Sequence, residues 1–596
     1  MITMKNDPKK AYPQAHVSCA FSLFLLLAIW TLLSAAWSNR VYQDSWILEG
    51  LFIPLLLTVL SFFWVVLGSS NIQIVTVVTM ILTFLFFVLP SLKYVTPYGS
   101  AIDVSAHISL VRYIAETGQV DPSNVYQHTA GFHVLPAILG RLSGLDPERY
   151  VKVIPPFLGS LVPAIYYLVL RRIEAPSGLK KIIIVLSGLS LPLLYSLNGT
   201  TFTTPLFLFF LFLLLLRHFE SPWTERNAFA LTILILLVGT TIIFWHPSSS
   251  LVIIFVMLVG GLWVRASGSS NDNGEALWRI GLLIFVGTFS YWIFKADLVW
   301  EHFVSNLYLS LQPELTPDLV PKRLFELSLV EQIQIGLYSH ARDVLFIALG
   351  AVGFLFQMRS RGQSGDFNRL GRGLAIFWLS SLLMVAAVFF IGFGSQGYRR
   401  FLNYIVILSP WLAGSGIWHS IKILSLQIPS AKKVITVMGI LLITVFVSGM
   451  QLFPYQPGIP AISTNEDGRM DTPALWMHQV NTSYQYQMLD YALHQLPGNV
   501  KLTADYVGQR QSGIFFDKQA QSRIQRLETP LAGSVALLHW PGMAGPYFEQ
   551  AGSRSTEAIA GWRSHFGVMT IYDNGGSFIL FDPIGVVRVS RMESKQ

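Results

Sequence analysis

The sequence predicts a polytopic α-helical membrane protein of about 13 transmembrane helices with a small extracytoplasmic C-terminal α/β domain. Three observations lead there. Apolar residues make up 52% of the 596 positions and Asp, Glu, Lys and Arg only 12%, about half the roughly 25% charge of soluble domains. The apolar residues fall into runs near the 20 or so that cross a hydrocarbon core of about 30 Å. Lys and Arg, which leave a net charge of +8, gather in short clusters between those runs rather than in one basic domain. That pattern excludes a nucleic-acid partner and reads as membrane orientation. The single cysteine, Cys19, excludes an internal disulfide framework and a cysteine zinc site, and leaves the redox compartment unread.

The runs place spans near 18–37, 47–67, 73–91, 152–170, 181–197, 204–217, 228–245, 248–264, 277–294, 341–357, 372–393, 401–420 and 433–452. They must be helices, because an open sheet leaves its backbone unsatisfied in lipid. The first follows Lys5, Lys9 and Lys10 with no small-residue cleavage site before Arg40, so it is expected to be retained. With a cytoplasmic N-terminus, the inside loops hold Arg171, Arg172, Lys180 and Lys181, then Arg217 and Arg226, then Arg265 and Arg279. Further on they hold Arg359, Arg361, Arg369 and Arg372, then Lys422, Lys432 and Lys433. This is a positive-inside pattern. The segment Phe132 to Glu148 is interrupted by Arg141 and too short to cross; counting it as a span would put later clusters on the wrong side. It is expected to be a re-entrant or interfacial helix on the outer face.

Two domains follow: a transmembrane domain over 1–452 with outer loops 92–151 and 295–340, and an extracytoplasmic domain over 453–596. The second carries strand-like pieces, NVKLTADYV, SVALLHW and GVMTIYDNGGSFILF, punctuated by Gly and Pro. The loop 295–340 alternates apolar and charged residues over helical lengths and is expected to lie along the interface as one or two amphipathic helices. It either covers two spans or closes over a bound substrate.

Ionisable groups are costly in a bilayer, so those beside span ends are the first candidates for chemistry. In the first outer loop Asp103 and His107 are four residues apart, on one face of a helix. Asp103 either caps that helix or serves as a catalytic carboxylate. Glu116, Asp121, His128 and His133 follow. His246 precedes Pro247 at the outer end of a span and either ends the helix or contacts a ligand. Arg399 and Arg400 stand at an outer span end, against the positive-inside trend, and either snorkel to headgroups or hold an anion.

Taken in order, these pieces resemble the polyprenyl-phosphate-dependent glycosyltransferases of the GT-C superfamily. The early Asp, the helix ending in ETG, and GFHVLPAILGRLSGL leading to Arg171 and Arg172 carry the likeness. FWHPSSSLVIIF is similar to a His-Pro step between two spans, GYRRFLNYIVILSPWLAGSGI to an Arg-bearing turn into a late span, and IYDNGGSFILF to the end of an outer C-terminal domain. The likeness covers most of 73–452 in pattern. It implies a GT-C-like fold and an inverting transfer of sugar from a polyprenyl-phosphate donor lipid to a glycan, lipid or protein acceptor at the outer face of the cell membrane. Asp103 would be the general base, and Arg399 and Arg400 would meet the phosphate that gains charge. His107, His128, His133 and His246 would line the substrate site.

Three features depart from relatives. Asp103 is followed by Val104 instead of the Asp-Glu pair of many protein O-mannosyltransferases. The turn LNGTTFTTPLF has no carboxylate where aminoarabinose transferases carry a second Asp, leaving Asp121 or Glu116 for that role. There is no Asp-X-Asp motif of the oligosaccharyltransferase type. No motif requires a cofactor, and a divalent metal stays open. The competing classes are a multi-pass transporter or lipid flippase, and a non-catalytic scaffold displaying the tail. The orientation is testable: a compartment-sensitive reporter fused beside Lys180 should report the cytoplasm, and a periplasmic or luminal signal would invert the topology.

Overall fold

The computed structural model describes residues 8–38, 52–93, 101–120, 128–145, 147–191, 199–219, 225–266, 271–311, 329–359, 366–390, 401–424 and 439, with five strands between 501 and 581. The expected span at 433–452 lies outside these apart from that one position.

The helices are α1 (Pro8–Ser38), α2 (Phe52–Gly68), α3 (Ile72–Lys93), α4 (Ala101–Thr117), α5 (Gly131–Ser143), α6 (Pro147–Ser160), α7 (Val162–Leu170), α8 (Ser177–Leu189), α9 (Gly199–Phe219) and α10 (Glu225–Trp245). After them come α11 (Pro247–Ala266), α12 (Asn271–Phe294), α13 (Asp297–Leu311), α14 (Leu329–Arg359), α15 (Asp366–Phe390) and α16 (Ser409–Leu424). Residues 401–406 are helical and reach α16 through a turn at 407–408. Seven segments among the described residues are long and apolar enough to cross a membrane, and Ile53–Gly68, Thr203–Arg217 and Phe229–Trp245 are shorter apolar helices. The chain is a polytopic helical membrane protein.

The expected span at 152–170 is two helices, α6 and α7, parted at Leu161. Pro155, Pro156 and Pro163 explain this, since each removes a backbone donor. The span expected from 341 begins as helix already at Leu329, and that expected from 372 begins at Asp366. Segment α5 is 13 residues long, about 20 Å at 1.5 Å per residue. It buries Phe132, His133, Pro136, Ala137 and Gly140 and ends on Gly144 at φ 69°, a left-handed cap that glycine adopts freely. Arg141, which breaks the apolar run in the sequence, donates through Nε to Ala115 O and through Nη2 to Glu116 O at 3.1 Å. It thereby satisfies the open carbonyl end of α4.

Helices α14 and α16 run side by side in parallel. Trp378 Nε1 donates to Ser409 Oγ at 3.0 Å beside Gly350, and Gln357 Nε2 reaches Ser415 Oγ at 3.3 Å. Between these levels Gly353 lies against the backbone of Leu412, where an added Cβ would stand 1.7 Å from its carbonyl oxygen. Small residues that let backbones approach this closely hold helices together where lipid supplies no hydrophobic drive.

The tail forms a sheet in the order β2 (Ile524–Arg526), β1 (Lys501–Ala504), β3 (Ser534–His539), β5 (Ser577–Phe581), β4 (Met569–Asp573). β1 is parallel to both β2 and β3, whereas β5 is antiparallel to β3 and β4. The three strand-like pieces read from the sequence supply β1, β3, β4 and β5. Parallel neighbours require crossover connections, as an α/β arrangement does.

The tight contact makes a prediction. Gly353→Ala should lower thermal stability by about 1–3 kcal/mol or more, because backbone cannot rotate away, whereas Gly287→Ala, whose Cβ meets only Ile243 at 3.7 Å, should change little. Equal melting shifts in detergent would refute the distinction.

Candidate functional site

One end of the bundle gathers the histidines. In α4, His107, Ile108, Val111 and Ile114 are buried. Ile108, Val111 and Ile114 pack with Phe132 and Ala137 of α5 and against Trp245. This hairpin brings His107 Nδ1 to 2.9 Å from His133 Nε2, with the Phe132 ring edge-on to His107 at 5.1 Å. Burial first, and the neighbouring His107 second, push the His133 pKa well below its ordinary value. The His133 ring is therefore neutral near pH 7, and one proton lies along the contact with His107. The cheaper tautomer has His133 Nε2–H donating, because His133 Nδ1 is buried without a hydrogen-bond partner, and a bare acceptor costs less there than a bare N–H.

The hairpin docks on the end of α10. A Cβ on Gly131 would stand 1.9 Å from the Trp245 ring, so only glycine lets α5 start against that indole. Nearby, Tyr291 donates its hydroxyl to His128 O, and its ring meets Phe244 edge-on at 4.7 Å. Asp297, the first residue of α13, puts Oδ1 3.4 Å from His128 Nδ1. Beyond it Trp300 and Phe303 pack on Phe289 and Trp292, while Val304 and Tyr308 are exposed. This is an amphipathic helix with one aromatic face anchored to the bundle.

His246 opens a second polar group. The break before Pro247 leaves its imidazole half-buried, with Nδ1 2.7 Å from Ser249 Oγ. Ser249 Oγ is also bonded to the Tyr404 hydroxyl, and Thr203 Oγ1 lies 2.7 Å from Ser249 and 3.3 Å from Tyr404. Thr203, Ser249 and Tyr404 are fully buried. The network ties the start of α9, the α10–α11 joint and the helix at 401–406 into one cluster. An open apolar groove of 370 Å³ follows one face of α10, lined by Ile233, Leu236, Leu237, Thr240, Thr241, Phe244 and Trp245.

Of the residues picked from the sequence, His107 and His133 are in contact, and His128 and His246 stand on either side of the Tyr291–Phe244–Trp245 seam. Asp103 lies in the first turn of α4, one turn before His107; its side chain, together with Asp121, Arg399 and Arg400, lies outside the described residues. Glu116 is exposed and engages Arg141 through its carbonyl. Sequence reasoning passed over Asp297, Tyr404, Thr203 and Ser249. The hydroxyl runs TTFTT and HPSSS beside span ends were the available signal. Among the described residues there is no cluster of three or more His, Cys, Asp or Glu suited to a metal.

No protein-family model matches this chain, and no curated protein matches it. Among solved structures it is similar to the oligosaccharyltransferase of Archaeoglobus fulgidus, crystallised with zinc and sulfate, at 12% identity and a TM-score of 0.47, over 85% of this chain and 73% of that one.

The imidazole pair sets a pH dependence. An unfolded chain takes up a proton near 6.5, whereas the buried His133 takes it only well below that. Stability is thus flat above 6.5 and falls as the pH drops from there towards the folded value. The melting temperature of His133→Gln should fall less between pH 7.5 and 5.5 than that of the wild type; parallel curves would remove the pair as the cause.

Proposed function

We propose that the protein is an integral-membrane glycosyltransferase that moves a sugar from a polyprenyl-phosphate donor to an acceptor at the outer face of the cell membrane. The observation that carries this reading is an open apolar groove along one face of α10 that reaches Trp245, next in the chain to His246, whose imidazole meets a buried hydroxyl network. An amphiphile with a long apolar chain and a polar head matches that gradient. The resemblance of the ordered sequence pieces to GT-C enzymes supplies the class.

In the proposed reaction an acceptor hydroxyl or amide attacks the anomeric carbon from the face opposite the phosphate. The Asp103 carboxylate takes the acceptor proton as the new bond forms. The carbon–oxygen bond to phosphate breaks, and the departing polyprenyl phosphate gains a negative charge. Arg399 and Arg400 neutralise that charge through paired N–H donors. His246, held by Ser249, orients the head group, and the His107–His133 contact braces the helix that carries Asp103. Asp297 beside His128 is a carboxylate for the second acidic role that the turn at 198–208 lacks. Helix α13, with its anchored aromatic face, covers the site and limits water. No step calls for a metal.

The transporter or flippase alternative calls for ionisable groups near the bilayer midplane. Among the described residues the fully buried charged or imidazole side chains are His107, His133, Arg342 and Asp343. The first two belong to the α4–α5 hairpin, and the last two begin the apolar window Ala341–Arg359.

Purified protein given radiolabelled polyprenyl-phosphate sugars should transfer label to a membrane-extract acceptor. Asp103→Asn should stay folded and bind donor yet lose about a hundredfold or more in rate, within the range of general-base contributions. Transfer at the wild-type rate would exclude Asp103 as base.

A further inference from the structure

Arg342 stands out from every other cation among the described residues: it is 2% exposed, inside the first turn of an apolar window. Its Nε donates to Asp343 Oδ1 at 2.9 Å and its Nη2 to the same oxygen. Nη1 is buried with no hydrogen-bond partner. A guanidinium carries five N–H donors and cannot shed its charge, so leaving one nitrogen buried and unbonded is destabilising. A membrane protein keeps such a cost where a ligand removes it.

The position points the same way. Helices α14 and α16 are parallel, with Gly350 level with Ser409. Arg342 lies eight residues, roughly 12 Å at 1.5 Å per residue, before Gly350 along α14, and the parallel chain before Ser409 holds the helix at 401–406 that carries Tyr404 of the His246 network. Arg342 therefore stands towards the end of the bundle that carries that network.

We propose that Arg342 is an oxyanion-binding residue whose unpaired Nη1 donates to a phosphate of the phosphodiester class, with Asp343 as the positioning residue that locks the guanidinium and balances its charge in the empty site. This rests on the glycosyltransferase reading only for the identity of the lipid. The shared chemistry, a phosphate oxygen, could come from polyprenyl phosphate, from a bulk phospholipid or from inorganic phosphate.

The test measures binding of three probes to the full-length protein in detergent: polyprenyl phosphate, phosphatidylglycerol and inorganic phosphate. Arg342→Gln should weaken polyprenyl phosphate about tenfold to a hundredfold, the range for a hydrogen bond to a charged group. Arg342→Lys should recover only part, because a point charge lacks the planar fork. Asp343→Asn should melt lower yet bind polyprenyl phosphate as tightly or more tightly, since the cation loses its internal partner. A merely structural ion pair would lower stability in all three variants and leave affinity unmoved, and that result overturns the proposal. Stronger dependence on Arg342 for phosphatidylglycerol or inorganic phosphate than for polyprenyl phosphate keeps the anion site but overturns the lipid-linked assignment. If the single variants fail to fold, a wild-type structure with polyprenyl phosphate decides: a phosphate oxygen within about 3.2 Å of Nη1 supports the site, and phosphate elsewhere rejects it. Binding that depends on Arg342 without any sugar transfer would sink the proposed enzyme while leaving the site intact.

Discussion

Hydrocarbon offers no hydrogen bonds, and the polar side chains that bond across this bundle answer to that constraint. Thr31 and Thr58 meet at 3.0 Å between α1 and α2, Thr83 donates to Gly188 O at 3.1 Å between α3 and α8, and Tyr166 donates to Ile407 O at 2.7 Å. Each bond joins two different segments of the bundle, so each fixes a register that apolar packing alone leaves loose. The same rule explains the end of the molecule that carries the histidines. There the chain is interrupted by Pro247 after His246 and by the turn at 407–408, where Ile407 O is the acceptor for Tyr166, while Thr203, Ser249 and Tyr404 satisfy one another beside the breaks.

The opposite ends of these helices are built differently. Lys181 Nζ donates to Val66 O at 3.1 Å, the Trp418 ring lies against Gly178, and His419 stacks on Phe356 at 5.4 Å. Lys180, Arg359, Arg369, Arg372 and Lys422 belong to the same helix ends. These cations therefore sit at the opposite end of the bundle from the imidazole and hydroxyl network. A bundle polarised in this way has one face suited to lipid headgroups and another suited to binding a neutral or anionic head group within a recess.

Much of this was legible in the chain. Apolar runs of about 20 residues locate helices because transfer from water dominates everything else at that length, and the brief run from Phe132, broken by Arg141, reads correctly as too short to cross. The strand pieces of the tail were legible by their alternation. The i, i+4 spacing of Asp103 and His107 placed them one turn apart, as α4 has them. What escaped was tertiary. His107 meets His133 across 26 residues only because Gly131 lets α5 seat on Trp245. Tyr404 looked like one more aromatic in a span, and its hydroxyl gains meaning only from Ser249, 155 residues earlier. Arg342 and Asp343, adjacent in sequence, point to different faces of an ideal helix, so spacing gave no hint that they pair. Asp297 was hidden in an amphipathic stretch where acidic residues are ordinary.

The protonation of the histidines limits what they can do. Burial holds the His133 pKa well below its ordinary value, so that ring orients groups near neutrality but neutralises none. A head group bearing a phosphate needs a permanent cation, and arginine alone keeps its charge in a site that is half dry. On the proposed reading that requirement separates the roles, with imidazoles and hydroxyls shaping the recess and guanidinium groups holding the head group. Arg342 already carries its counter-ion in Asp343, which makes a buried cation tolerable before ligand arrives. Because both of its bonds fall on one carboxylate oxygen, part of the guanidinium edge is left over, and that remainder is the unspent donor an anion would complete.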